Sequence, residues 1–263
     1  VSLGHIINKN EFRRAFSASI VHDFFNVISV LVLLPLEMSF GIISKSASWL
    51  AELLVGTETF TFNSPLKMIT DPAVSWVQNL FKQQEIINYN WLLLIAALLL
   101  LFLSLRFLTK LIRSLVMQRL EAFFDSHIFK TAGRAMFFGA LITILVQSSS
   151  ITTSLVIPLA GAGILHLRQI FPYTLGANIG TTVTALLASL VSGTIAPLSV
   201  AFAHLMFNIY GIALIWPIEK IRMIPINLSI WFAEIAIKNR IFPLLYILVV
   251  FFIIPLSLIL FVR

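Results

Sequence analysis

The sequence predicts an all-α membrane protein built on two inverted repeats. Three observations predict this fold class: the composition, a pair of repeated segments, and two polar stretches inside apolar surroundings. The chain has 263 residues, of which 59% are hydrophobic and 11% charged, and its mean hydropathy is +0.99. Because globular domains carry roughly 25% charged residues, the composition indicates a membrane protein.

Four apolar runs are long enough to cross a bilayer, which takes about 20 apolar residues. Residues 91–107 and 241–262 are predominantly apolar, and residues 15–36 and 196–216 are equally long but each contain a His and an Asn. Lys and Arg lie in the loops between these runs. The net charge of +7 therefore indicates a positive-inside bias, and no nucleic-acid partner is expected. The sequence contains no Cys, which excludes disulfides, zinc thiolate sites and thiol catalysis.

An internal repeat links residues 17–37 to residues 199–219. At a constant offset of 182, six of 21 ungapped positions are identical, and most of these are polar or Pro residues that shared hydrophobicity does not explain. One structural unit is therefore used twice. The identical pairs are Ser17 and Ser199, His22 and His204, Phe25 and Phe207, Asn26 and Asn208, Pro35 and Pro217, and Glu37 and Glu219.

The charges beside the two copies predict that the copies run in opposite directions. Basic residues precede the first copy, whereas Lys220 and Arg222 follow the second. The loop at 38–87 is mixed in charge and is expected outside, whereas 109–134 is mainly basic and is expected in the cytoplasm. Inverted repeats with polar interruptions are typical of secondary transporters, in which the substrate site lies near the membrane midplane.

The stretch VQSSSITTS at 146–154 carries seven polar side chains among nine residues, inside a long apolar run. One or two hydroxyls could bond back to their own helix. Residues 147–154 cover more than two turns, however, and would point polar groups in all directions around the axis. We therefore expect a broken helix that is buried in protein or lines a cavity.

A second polar stretch, GANIGTTVT, occupies residues 176–184. Taken alone, Gly176 and Gly180 are four residues apart and fit close helix packing. Taken with the first stretch, the segment indicates a second hydroxyl-rich discontinuity. We expect the two discontinuities to form one shared site.

The repeat also predicts the domain organisation. Residues 1–87 hold the remainder of the first repeat and an external loop, and 88–134 hold a connecting transmembrane helix and a cytoplasmic amphipathic segment. Residues 135–222 form the second repeat with its QSSS hairpin, and 223–263 form an interfacial helix and the last transmembrane helix. Because Val1 pairs with Val183, the polar half of the first repeat is expected to be missing from this chain.

These motifs resemble the type II sodium-dependent phosphate cotransporters. The resemblance rests on residues 11–37, 147–154 and 176–184 and extends over most of the chain. In that family QSSS occurs once in each inverted repeat, in paired re-entrant hairpins that bind phosphate and sodium. Residues 38–87 lack the long cysteine-bearing loop of vertebrate members. The resemblance therefore implies a compact, bacterial-type, multi-pass protein of the plasma membrane, in a bacterium the inner membrane.

The chemistry of the polar stretches agrees with sodium-coupled symport of inorganic phosphate. Hydroxyls and the N–H groups at a helix N-terminus bind phosphate, while hydroxyls and carbonyls bind sodium. No Lys or Arg lies between Ala135 and Leu167, so sodium would have to neutralise the substrate there. We expect sodium as the coupling ion and no other cofactor. A carrier or channel for another small anion is the alternative.

A hydrolase that uses one of the serines at 148–150 with His204 is a third alternative. No GxSxG-type turn surrounds these serines, so we expect a transporter and not an enzyme.

The predicted ligands come from both polar stretches, and the repeated polar residues are expected to support them. For His22 and His204 the alternatives are proton relay, substrate contact or packing alone. For Asn26 and Asn208 they are bracing the hairpins or binding the ligand directly. The predicted substrate and ion ligands are Gln147, Ser148, Ser149, Ser150, Thr152, Thr153, Asn178, Thr181 and Thr182. Those expected to hold sodium, together with backbone carbonyls, are Ser148, Ser149, Ser150 and Thr181.

Overall fold

The computed structural model describes residues 8–55, 128–192, 195–239 and 241–261, and scattered positions between 72 and 103. These residues are helical apart from short turns and contain no strand, which confirms the all-α prediction for this part of the chain. Most of the predicted connecting helix and cytoplasmic segment at 88–134 lies outside the described residues.

Short connections join α1 to α2, and likewise join the successive helices from α3 to α9. Two of the helices, α1 and α6 below, are long and apolar enough to cross a membrane by length and composition. The bounds are α1 Lys9–Phe40, α2 Ile42–Val55, α3 Ala132–Val146, α4 Ser149–Ala162, α5 Leu167–Ser192, α6 Ile195–Ile215, α7 Glu219–Lys238, α8 Ile241–Leu248, a π-helical segment Val249–Ile253, and α9 Ile254–Phe261.

The surface of the described chain is strongly apolar. Leu31, Leu145, Val200 and Leu260 are each about 70% exposed, and many other large apolar side chains are also exposed. Soluble monomers rarely expose contiguous apolar surface on this scale. The exposed side chains therefore fit a lipid environment.

Residues 42–55, which fall in the predicted external loop, form α2. The helix before it ends at Gly41, which has φ +62° and whose N–H donates to the carbonyl of Glu37 at 2.8 Å. The Glu37 carboxylate then accepts from the N–H of Ile43 at 2.6 Å and from both the N–H and the hydroxyl of Ser44. One carboxylate thus caps the start of α2, because the first N–H groups of a helix lack partners within the helix.

The repeated helices pack reciprocally across the two copies. In α1, Arg13 lies 3.5 Å from Glu234 of α7, and Phe25 packs in one cluster with Ile226. In the same way α6 packs against α2, where Ala47 joins a core cluster with Phe202 and Leu198. Each repeated helix, α1 or α6, therefore contacts the helix that follows the other repeated helix. The predicted boundary at 222/223 falls inside α7, whose buried face lies against α1.

The tightest helix contact joins α3 to α5 and rests on glycines. A Cβ at Gly176 would lie 1.8 Å from the carbonyl oxygen of Met136, and one at Gly180 would lie 2.6 Å from that of Ala140. The close-packing interpretation of these glycines is therefore correct. The predicted second discontinuity is wrong, since α5 runs unbroken through 176–184.

One end of the bundle gathers the start of α3, the end of α4 and the start of α5. Ala135, Ala160 and Ile170 share a core cluster with Ala18, near the start of α1. The Arg14 guanidinium donates to the carbonyl of Gly161 at 2.6 Å at the same end. The two outer ends of α3 and α4 therefore lie in one layer of the molecule.

Candidate functional site

The first polar stretch interrupts the helix at two residues, as the sequence predicts. α3 ends at Val146, and Gln147 has φ +54°, the only positive φ at a non-glycine residue in the described chain. Ser148 is extended, and its hydroxyl oxygen accepts from the N–H of Ile151 at 3.4 Å. Ser148 is therefore the N-cap from which α4 begins at Ser149.

The start of α4 presents unused hydrogen-bond donors. The N–H of Ile151 is taken by the cap, and the N–H of Thr152 donates to the carbonyl of Ser148 at 3.1 Å. The N–H groups of Ser149 and Ser150 have no acceptor among the described residues. Together with the positive end of the helix dipole, they provide donors for an anion.

A cavity of about 250 Å³ lies beside this helix start, and we call it the central cavity. Four helices supply its walls: α1, the start of α4, the middle of α5, and α6. No Lys, Arg, Asp or Glu is among the described residues that line it. The lining residues are Asn26, Val30, Ser149, Asn178, Thr181, His204, Phe207 and Asn208.

The amides in the central cavity are arranged by hydrogen bonds. The side-chain nitrogen of Asn178 donates to the side-chain oxygen of Asn26 at 3.0 Å, which joins α5 to α1. The side-chain nitrogen of Asn208 donates to the carbonyl of His204 at 3.1 Å, one turn earlier in its own helix. The Asn178 and Asn208 side-chain oxygens have no donor partner among the described residues, so they are available to a ligand.

The structure brings together six of the thirteen predicted ligand and supporting residues. These are Ser149, Asn178 and Thr181 from the polar stretches, and Asn26, His204 and Asn208 from the repeated helices.

The other predicted residues do not line the central cavity. Thr152 and Thr153 are buried, and their hydroxyls donate to the carbonyls of Ser148 at 3.0 Å and of Ser149 at 2.9 Å. Thr182 is also buried and donates to a carbonyl of its own helix at 2.7 Å. The remaining four are Gln147, Ser148, Ser150 and His22.

His22 contacts the neighbouring carboxylate, with its Nε2 3.2 Å from Oδ1 of Asp23. Asp23 lines an adjacent cavity of about 360 Å³ between α1 and the segment around Pro255, which we call the lateral cavity. Asn26 and Val30 line both cavities. The sequence analysis assigned no site role to the last helix. The structure shows a π-helical segment just before Pro255, and such segments are frequent at functional sites.

A metal site of the usual transition-metal type is not present among the described residues, which contain no group of three His, Cys, Asp or Glu side chains arranged to hold an ion. The central cavity instead offers neutral amide and hydroxyl oxygens.

The fold and site define a class: an α-helical membrane protein with an uncharged polar cavity at a helix break. A family model described as Na+/Pi-cotransporter matches residues 100–237, just over half of the chain. The chain therefore belongs to the Na+/Pi-cotransporter family, as its motifs predicted.

Named relatives extend the match beyond the family model. The chain is 32% identical to sodium-dependent phosphate transport protein 2B of Bos taurus over 346 residues, covering 98% of the chain and 50% of that protein. It is 30% identical to the Homo sapiens 2B protein with the same coverage, and 29% identical to the Rattus norvegicus 2A protein over 97% of the chain and 51% of that protein. The chain spans about half the length of these relatives. No solved structure matches it.

Proposed function

We propose that the protein containing this chain carries out sodium-coupled symport of inorganic phosphate across the membrane. The observation that carries the proposal is the central cavity, where a helix start meets amide and hydroxyl oxygens from three other helices. The names of the relatives, sodium-dependent phosphate transport proteins, support the same substrate and ion.

The phosphate would be held at the start of α4. Backbone N–H groups at Ser149 and Ser150 supply donors, and the helix dipole places about half a positive charge there. The Ser149 hydroxyl lines the cavity at the same point. The side-chain amides of Asn26, Asn178 and Asn208 line the same cavity.

Sodium would be held by the neutral oxygens of the same cavity. The candidates are the amide oxygens of Asn178 and Asn208 and the hydroxyl oxygen of Thr181, which donates its own proton to the carbonyl of Ala177 at 3.1 Å. Because the described lining residues include no Lys or Arg, phosphate would be neutralised mainly by sodium. Each ligand then lowers the electrostatic cost of binding the other, which is the physical basis of coupling.

Inverted repeats are supported by contacts between equivalent residues. Asn26 and Asn208 are related by the offset of 182, and both line the central cavity. Ser29 and Gly211 are related in the same way, and a Cβ at Gly211 would lie 2.6 Å from the Ser29 hydroxyl. Such contacts, with the reciprocal packing of α1 on α7 and α6 on α2, fit a pseudo-two-fold axis beside the cavity.

A re-entrant hairpin is supported by the lengths of α3 and α4. They have 15 and 14 residues, or about 22 and 21 Å at 1.5 Å per residue, whereas the hydrocarbon core is about 30 Å thick. Their outer ends share a layer that carries Arg13, Arg14, Lys130 and Arg134. By the positive-inside rule this layer is the cytoplasmic one, in the plasma membrane and, for a bacterial member, the inner membrane.

Reconstituted transport tests the function. The full-length protein in liposomes should accumulate labelled phosphate against its gradient when sodium is high outside, and not when potassium replaces sodium. Ser149→Ala should raise the phosphate concentration for half-maximal uptake about tenfold, the effect of losing one hydrogen bond to a charged ligand. Ser154→Ala, on the same helix but away from the cavity, should leave it unchanged.

The outcomes separate the alternatives. Uptake of phosphate down its gradient without sodium dependence would indicate a channel. Sodium-driven uptake of another small anion in preference to phosphate would indicate a different carrier. Equal kinetics for wild type and Ser149→Ala would remove the start of α4 from the site.

Single-cysteine labelling tests the hairpin, because residues 1–263 contain no cysteine that would react in the background. In the full-length protein, with any other cysteines replaced, Gly133→Cys and Ala162→Cys mark the outer ends of α3 and α4, and Ser39→Cys marks the end of α1. All three positions are exposed. We expect the first two to react from the cytoplasmic side and Ser39→Cys from the opposite side. Reaction of Gly133→Cys and Ala162→Cys from opposite sides would contradict the hairpin.

A further inference from the structure

A third polar cavity, of about 210 Å³, lies at the end of the bundle where α1 and α5 begin and α4 ends. We call it the basic cavity, because Arg13, Arg14 and His166 line it together with Ser17. No Asp or Glu is among its described lining residues. Apolar side chains of Leu165 and Ile230 complete the walls, which lowers the local dielectric and strengthens interactions with a charged ligand.

Arg14 is fixed in place by the end of α4. Its Nε donates to the carbonyls of Ala160 at 3.2 Å and Gly161 at 3.0 Å, and its Nη2 donates to Gly161 at 2.6 Å. These bonds are made to the last turn of α4, where the Ala160 carbonyl also accepts from the N–H of Gly163 at 3.0 Å and the helix carbonyls lack i+4 donors. Nη1 has no acceptor among the described residues. The guanidinium is therefore pre-oriented with one nitrogen left for a ligand, so less side-chain entropy is lost on binding.

Arg13 is a second, more mobile donor. Its one described ion pair, to Glu234, is 3.5 Å long, and the two side chains are 45% and 52% exposed. Exposed pairs of this kind contribute little to stability. Arg13 can therefore turn toward the cavity at small cost.

His166 contributes from the start of α5. Its backbone N–H donates to the side-chain oxygen of Gln169 at 2.9 Å, and its backbone carbonyl accepts from the backbone N–H of Gln169 at 2.9 Å. The start of α5 is therefore already capped. The imidazole is left to face the cavity, next to the positive end of the helix dipole. Two arginines of α1 and the histidine that precedes α5 thus line one small volume.

We propose that the basic cavity binds a phosphoryl anion, either inorganic phosphate or the phosphomonoester headgroup of a lipid. Arginine forks match the oxygens of phosphate, and basic pockets between membrane helices on the cytoplasmic side are suited to anionic headgroups. Arg14 precedes Asn26 by twelve residues, or about 18 Å along α1. The basic cavity is thus a separate anion site from the central cavity, and it differs in using fixed positive charge in place of sodium.

The test measures ligand-dependent thermal stabilisation of the full-length protein in nanodiscs and sodium-free buffer. One arm adds inorganic phosphate to phosphatidylcholine discs, and the other compares those discs with discs containing a minor fraction of phosphatidic acid and no free phosphate. The variants are the Arg13→Gln, His166→Gln double substitution and a matched control, Arg168→Gln, which removes an exposed charge from the same end of the bundle. Arg14 is left intact because it caps α4.

We expect the wild type and Arg168→Gln to be stabilised by at least one probe, and the double variant to bind that probe at least about tenfold more weakly, as expected for losing a charge-assisted hydrogen bond. The arm that responds identifies the source of the phosphoryl group. An equal response of all three proteins, equal losses in the double variant and the control, or no response of the wild type to either probe would overturn the proposal.

Discussion

Residues 147–154 and 176–184 have similar compositions, but the helix is broken in the first segment and continuous in the second. Both stretches are rich in hydroxyls inside apolar surroundings. The first contains a break, with a left-handed Gln147 and an extended Ser148 between two short helices. The second is the unbroken middle of α5. Polar composition alone therefore does not determine whether a membrane helix is interrupted.

The difference lies in the glycines and the backbone N–H groups, because the threonine hydroxyls of both stretches bond back to nearby carbonyls. In α5, Thr181 and Thr182 donate to carbonyls of their own helix, and the glycines pack against the backbone of α3. Within a membrane, an unbroken helix satisfies its backbone N–H and carbonyl groups internally. At the break, Ser148 satisfies the cap while the next two N–H groups are left for a ligand. The two stretches still meet at one cavity, because Ser149 reaches it from a helix start and Asn178 from a helix side.

The largest effect should come from filling the glycine contact. Gly176→Ala would place a Cβ 1.8 Å from the Met136 carbonyl oxygen and 2.6 Å from its carbon. Overpacking costs about 1–3 kcal/mol when side chains can adjust, and here the obstacle is backbone. We expect a cost at or above the top of that range, seen as a large drop in the thermal unfolding midpoint and in the yield of folded protein.

Gly133→Ala is the matched control, because no heavy atom lies within 4 Å of the Cβ it would add near the start of α3. Ala is favoured over Gly in helices by about 1 kcal/mol, so this variant should be as stable as wild type or slightly more. Equal midpoints for the two variants would show that α3 and α5 do not pack as closely as these contacts require.

A smaller effect is expected at the hydrogen bond between the polar stretch of α5 and the repeated helix α1. The Asn178 to Asn26 bond at 3.0 Å should give a coupling free energy of about 0.5–1.5 kcal/mol in a double-mutant cycle. The measured quantity is the sodium concentration for half-maximal uptake in Asn26→Ala, Asn178→Ala and the double variant. A control cycle of Asn26→Ala with Ser257→Ala, whose hydroxyl donates to the carbonyl of Ile253 at 2.7 Å, should be additive. Additivity in both cycles would contradict a functional role for the amide pair.

Local pattern and the internal repeat were enough to predict much of this structure. The helical class follows from the apolar runs, and the break at Gln147–Ser148 follows from polar groups on all sides of a helix that lipid cannot satisfy. The repeat relates Asn26 to Asn208 and predicted that both support one site. Both line the central cavity. These predictions depend on periodicity and on a fixed offset, which a sequence displays directly.

Contacts between distant segments could not be predicted in the same way. The Asn26–Asn178 bond joins residues 152 positions apart, and no offset or motif pairs them. Helix α2 was hidden in the predicted external loop because its capping carboxylate, Glu37, belongs to the preceding helix. The basic cavity draws Arg14 and His166 from helices that the chain order leaves far apart. The amide bond and the basic cavity depend on tertiary packing, whereas the α2 cap is a local contact across a helix boundary.

The smallest expected effect gives the finest test of the two polar stretches. Thr153 belongs to the first and Thr181 to the second, and each hydroxyl donates to a carbonyl four residues earlier, at 2.9 and 3.1 Å. Only Thr181 lines the central cavity. Val keeps the branched shape and removes the oxygen, and the loss of a back-bonded hydroxyl costs little folding free energy.

Thr181→Val should therefore raise the sodium concentration for half-maximal uptake several-fold, as expected when one neutral oxygen ligand worth about 1 kcal/mol is removed. Thr153→Val should leave that concentration within about twofold of wild type, and both variants should unfold within a few degrees of it. Sodium titrations of phosphate uptake in liposomes measure the first quantity, and thermal unfolding measures the second. A sodium defect in Thr153→Val that equals or exceeds the defect in Thr181→Val would mean that ligands are selected by membership of the QSSS stretch and not by access to the cavity.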